Sequence, residues 1–116
     1  MNEDFVTYEL AVKLKEKRYP QDDLVRYNED GNMYLDDFPN AGYCAPTISQ
    51  ALKWLREEKK LHVEVMYIRP LHGVTKYYIT DIDGDRGNFM DVSDEHYENY
   101  EQAALAGIEY CLDNLI

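Results

Sequence analysis

Two cysteines, three histidines and a scatter of carboxylates are the side chains of this sequence that could perform catalysis or hold a metal. Cys44 stands just before a helix start at Thr47, where a helix N-terminus favours a thiolate. Paired with a histidine, such a thiol would be a nucleophile. No histidine lies at a recognisable spacing from it, and no glycine-rich oxyanion turn accompanies it. Cys111 falls on an apolar helical stripe and reads as core. His62, His72 and His96 fall on a strand, in a turn and in a loop, and with the cysteines they match no zinc spacing. The segment Asp81-Ile82-Asp83-Gly84-Asp85-Arg86-Gly87-Asn88 opens like a calcium loop. Glycine then comes at position 7 instead of 6, and position 12 is Val92 where a bidentate glutamate is needed. It reads as a solvated turn. The acid pairs Asp22-Asp23, Asp36-Asp37 and Glu57-Glu58 read as loop or helix surface, and neither a phosphate-binding glycine loop nor a nucleophile elbow is present. These residues assign no catalytic group, no metal and no cofactor. A small enzyme or ligand-binding domain using Cys44 or a histidine stands only as the alternative expectation.

Charge carries more information. The chain has a net charge of -11, and residues 81–116 hold ten acids against the single base Arg86. Binding to DNA or RNA is disfavoured, because phosphate affinity comes from Lys and Arg. A basic protein partner suits this charge, as does imitation of a nucleic-acid backbone, which would need acids along one face at phosphate-like spacing. Eleven tyrosines accompany the charge. Tyr67, Tyr77 and Tyr78 fall on an expected hairpin, and Tyr97, Tyr100 and Tyr110 lie near the acidic end. Tyrosine packs at core margins and also dominates recognition surfaces. The expectation is a non-enzymatic protein that acts by protein–protein contacts, with an interaction surface at Asp94, Glu95, Tyr97, Glu98, Tyr100 and Glu101.

The elements that must position these residues follow from periodicity. The 116 residues suit one α+β domain, with no apolar run near the roughly 20 residues that span a bilayer. An acidic start that is wrong for a secretory signal, with two cysteines read as reduced, points to the cytoplasm. A first helix is expected over 7–17, with Thr7 as cap and Val6, Leu10, Ala11 and Leu14 inward. A hairpin follows, 24–27 with 32–35, turning at Asn28-Glu29-Asp30-Gly31. The central helix begins at a Thr47/Gln50 capping box and buries Ile48, Ala51, Leu52 and Leu55, with Trp54 at the edge of the core. From Leu61 the period changes to 2: a strand over 61–69, a turn at Pro70-Leu71-His72-Gly73, a return strand over 74–82 and a short strand near 89–92. A last helix over 100–114, capped by Asn99, has an apolar face of Ala104, Ile108, Cys111, Leu112 and Leu115. The order is α-ββ-α-ββ-α, expected as a mainly antiparallel sheet of four or five strands packed with three helices on one or both faces.

The stretches Ala-Pro-Thr-Ile-Ser-Gln-Ala-Leu-Lys-Trp-Leu-Arg-Glu-Glu-Lys-Lys (45–60), Tyr-Glu-Gln-Ala-Ala-Leu-Ala-Gly-Ile-Glu-Tyr (100–110) and Phe-Val-Thr-Tyr-Glu-Leu-Ala (5–11) resemble small uncharacterised proteins of gut bacteria and of their phages and mobile elements. The helix–hairpin–helix order is more distantly similar to small phage α/β sandwich domains. The resemblance implies a mobile-element setting and a compact α+β fold. It carries no catalytic residue with it.

Overall fold

The computed structural model of the chain describes residues 4–36, 41–68, 77–84, 87–89 and 97–116. In order these form α1 (Tyr8–Glu16), β1 (Val25–Tyr27), β2 (Met33–Leu35), β3 (Tyr43–Cys44), α2 (Ile48–Glu58), β4 (Leu61–Ile68), β5 (Tyr77–Gly84), β6 (Gly87–Phe89) and α3 (Tyr100–Tyr110), which runs on into a π-helical turn at Cys111–Leu115. The fold is α+β. Its strands, however, form two antiparallel three-stranded sheets, ordered β2-β1-β3 and β4-β5-β6, and not the one sheet of four or five strands expected from the sequence. The two hairpins do not pair with each other, and the first gains β3 instead. Tyr43 and Cys44 pair with Tyr27 and Arg26, which completes a separate small sheet before α2 begins.

The helices start where their capping chemistry places them. Thr7 accepts from the Leu10 amide at 3.3 Å. Thr47 accepts from the Gln50 amide, and the Thr47 amide donates to Gln50 Oε1 at 2.9 Å, a complete capping box. The N-terminal segment crosses the start of α2, where the Ile48 amide donates to the Asp4 carbonyl and Val6 to that of Pro46. In the first hairpin Gly31 sits at φ +82°, a left-handed value for which glycine has no steric penalty. The buried stripes of α1 (Leu10, Ala11, Leu14), α2 (Ile48, Ala51, Leu55) and α3 (Ala104, Ile108) meet with Val6, Leu61, Ile82, Cys111 and Leu112 in one core.

The β4–β5 ladder pairs eight residues without interruption, from Leu61 with Gly84 to Ile68 with Tyr77. Leu61, Val63, Val65, Thr80 and Ile82 share one flank, which packs against α3. The Thr80 hydroxyl donates to the Ala103 carbonyl at 2.8 Å. Gly107 lets the helix approach: a Cβ there would lie 2.5 Å from Val63 Cγ1 and 2.8 Å from Thr80 Cγ2. On the opposite flank His62, Glu64 and Asp83 are exposed, so among the described residues helices cover one face of this sheet. No helix is long and apolar enough to cross a membrane among the described residues.

Candidate functional site: an acidic, tyrosine-rich end

The tyrosines divide into two groups with different tasks. Tyr8 of α1 stands edge-on to both Tyr27 (5.7 Å) and Tyr43 (5.8 Å), and the Tyr27 hydroxyl donates to the Val6 carbonyl at 2.7 Å. Lys15 lies over the Tyr43 ring and donates to the Gly42 carbonyl. This group fastens α1 to the first sheet. The second group gathers on the other sheet. Tyr67 and Tyr78 are directly paired across β4 and β5 with ring centroids 5.2 Å apart, and Tyr67 remains 47% exposed. Tyr78 and Tyr97 exchange backbone hydrogen bonds of 2.8 and 2.9 Å, which extends the row by one more residue. Beyond Tyr97, Glu98 is exposed, and Tyr100 opens α3 at 44% exposure with Glu101 beside it.

Four of the six residues expected at the interaction surface therefore lie together: Tyr97, Glu98, Tyr100 and Glu101. Asp94 and Glu95 lie outside the described residues, as do His72, His96, Val92 and the turn at 70–73. Glu64, Asp81 and Asp83, which the sequence reading did not assign to an interaction surface, lie on the flank of the ladder opposite the Tyr67–Tyr78 pair. A signal for them exists in the strand period: Glu64 faces Asp81 and His62 faces Asp83 on one flank of the ladder. Asp81 and Asp83 thus belong to β5, and Gly87 and Asn88 to β6, so the described residues of the calcium-like segment are strand, held by pairing with β4 and with each other. Strands β4, β5 and β6 and residues 97–116 contain neither Lys nor Arg. Among the described residues Asp113 and Glu109 draw a cation from another element: Lys13 of α1 reaches them at 3.0 Å and 3.8 Å.

The chemistry proposed for Cys44 is opposed by its surroundings. Its thiol is fully buried and donates to the Asp23 carbonyl at 3.8 Å, while its amide donates to Gln21 Oε1 at 3.0 Å. Burial raises its pKa, opposite to the lowering expected from its place before a helix, because loss of water outweighs the backbone contact at Asp23 and the charge of Arg26. His62 is exposed on β4, in the other sheet. Burial likewise pushes the Cys111 thiol up to about 12. Among the described residues no three His, Cys, Asp or Glu side chains gather where a metal could bind.

Beside Cys44 sits a group that sequence reasoning missed. Arg26 is 1% exposed, and its guanidinium donates to the carbonyls of Asp36 (3.0 Å), Ala41 (2.8 Å) and Gln21 (2.8 Å). It ties three connecting segments to β1. Asp23 lies close by with Oδ2 buried and without a hydrogen-bond partner among the described residues. Elsewhere a shallow cleft of about 230 Å³ opens between Tyr19, Pro20 and α2, lined by Gln50, Lys53, Glu57 and Glu58. Trp54, the single tryptophan, stands edge-on to Tyr19 at 5.3 Å and carries Lys59 over its ring, as its expected place at the core edge implies.

No protein-family model, curated protein or solved structure matches this chain.

Proposed function

We propose that this protein is a non-enzymatic accessory protein of a phage or other mobile element, acting in the cytoplasm by binding a basic protein partner. The contact surface is the acidic, tyrosine-rich end: Tyr97, Glu98, Tyr100 and Glu101, with Asp94 and Glu95 next to them in sequence. The observation that carries this reading is the pairing of half-exposed aromatic rings with acidic residues. Tyr67 and Tyr100 are about half exposed, in a part of the chain whose described residues include no Lys or Arg. Exposed tyrosine supplies contact area at low entropic cost, and a one-signed field steers a partner of opposite charge. Tyr8, Tyr19, Tyr27 and Tyr43 are engaged in ring packing within the first sheet and the helices, away from this end. The mobile-element setting is supported by the sequence resemblance. A nucleophilic role for Cys44 has less support, since its thiol is fully buried and burial raises its pKa.

Neutralising the surface tests the reading. The fourfold variant Asp94→Asn, Glu95→Gln, Glu98→Gln and Glu101→Gln is expected to lose a partner that the parent chain retains at low salt. Equal retention by parent and variant would remove the proposal.

A further inference from the structure

We infer that the partner docks on the free edge of β4 as an added strand, using an extended segment in which basic and apolar residues alternate. This rests on the reading above in taking the partner to be basic. Strand β4 lies at the edge of the order β4-β5-β6, and among the described residues no backbone group pairs with its outer side. In an antiparallel ladder alternate residues turn their N–H and C=O groups outward, so about four residues of β4 present unused donors and acceptors. Natural edge strands are blunted by shortness, bulges, Pro or Lys. The edges of the first sheet are short, three residues in β2 and two in β3. β4 has eight residues in unbroken register, Leu-His-Val-Glu-Val-Met-Tyr-Ile, with no Pro, Lys or bulge. It has the form of a template that expects a strand.

The side chains on either side of that edge specify what the strand carries. On the helix-facing flank Leu61 is buried, Val63 and Val65 are partly buried and Tyr67 is half exposed. An apolar residue beside them would extend the core, and one beside Tyr67 would reach the row that continues through Tyr78 to Tyr97. On the outer flank Glu64 is exposed with Asp81 opposite it, and Asp83 stands opposite His62. Strands lie about 4.8 Å apart, so a Lys or Arg beside Glu64 would meet its carboxylate. A period-2 sequence, basic on one face and apolar on the other, satisfies both flanks and the backbone together, which is strand addition with alternate-side-chain specificity. A second copy of this chain fits less well. Two-fold pairing of β4 would put two Glu64 side chains on the same flank of one sheet, between molecules of net charge -11 each.

The test uses a short synthetic peptide of alternating Lys and Val, and two N-methylated forms, each blocking the amides along one of its edges. Binding to the full chain is followed at low salt by amide exchange and by chemical-shift changes. Expected is protection of alternate amides within 61–68, with one methylated form bound at least about tenfold more weakly and the other unchanged. Glu64→Gln should weaken the unmodified peptide by roughly twofold to fivefold. If all three peptides bind alike and the shifts centre on 97–101, the edge is not the dock, while the acidic-surface reading stands. If none binds at low salt, strand addition at β4 is overturned, and retention of a partner by the parent chain decides the acidic-surface reading separately. If alternate β4 amides are already protected in the free protein in a concentration-dependent way, with doubled mass, the occupant is a second copy and the inference is overturned.

Discussion

At the scale of single residues the least expected feature is Arg26. A charged residue in a three-residue strand carries no sequence signal that it will be buried, because its acceptors are carbonyls at 21, 36 and 41 that only the folded chain brings together. Replacing it with methionine keeps the stem but leaves those carbonyls unpaired, and each such loss costs about 1–3 kcal/mol. Arg26→Met is therefore expected to destabilise the chain by at least about 3 kcal/mol in urea unfolding. A loss within about 0.5 kcal/mol, the range of ordinary surface changes, would show that the guanidinium is not a tie. Its neighbour Asp23 gives a pH signature. Burial raises the Asp23 pKa, Asp22 adds to this, and Arg26 opposes it. A carboxyl raised in the folded state keeps its proton there over a window in which the unfolded chain has lost it. Stability then falls as pH rises from the ordinary carboxyl value through the raised one. Asp23→Asn cannot ionise, so its melting temperature relative to the parent should climb from acid to neutral pH. A difference that is constant with pH would contradict this assignment.

At the scale of elements, helices were far more legible than sheets. Thr7, Thr47 with Gln50, and Asn99 each cap the helix their spacing predicts, since capping is a local interaction written within four residues. Sheet membership is not local. The pairing of β1 with β3 joins Arg26 to Cys44 across eighteen positions of sequence, and a two-residue strand leaves no periodic trace. The same limit hid the continuation of β5 to Gly84, whose order comes from its neighbours on either side. Gly107 is a helix-weakening residue whose place is explained by packing. Alanine would gain about 1 kcal/mol of helix propensity at an exposed helical site. Here its Cβ would strike Val63 and Thr80, and overpacking of this kind costs about 1–3 kcal/mol. Gly107→Ala should lower the melting temperature despite the better propensity, and an increase would mean that α3 can lift from the sheet without loss.

At the scale of the whole molecule, packing and charge are separated. The first sheet and α1 hold Tyr8 between Tyr27 and Tyr43 and Lys15 on Tyr43, while Lys13 reaches across to Asp113 beyond α3. The β4–β5–β6 sheet and α3 carry acids and half-exposed tyrosines with no basic residue of their own among the described residues. The imbalance was legible from composition along the chain. The grouping of Tyr67 and Tyr78 with Tyr97 was not, because it depends on a strand register and on one isolated bridge. The most direct measurement is capture of partners by the tagged full chain at low and high salt, with the Tyr97→Ala, Tyr100→Ala double variant run in parallel and bound proteins identified by mass spectrometry. The account predicts a basic protein that is retained by the parent at low salt, released at high salt and lost from the variant. A partner held equally by parent and variant at both salts would contradict it.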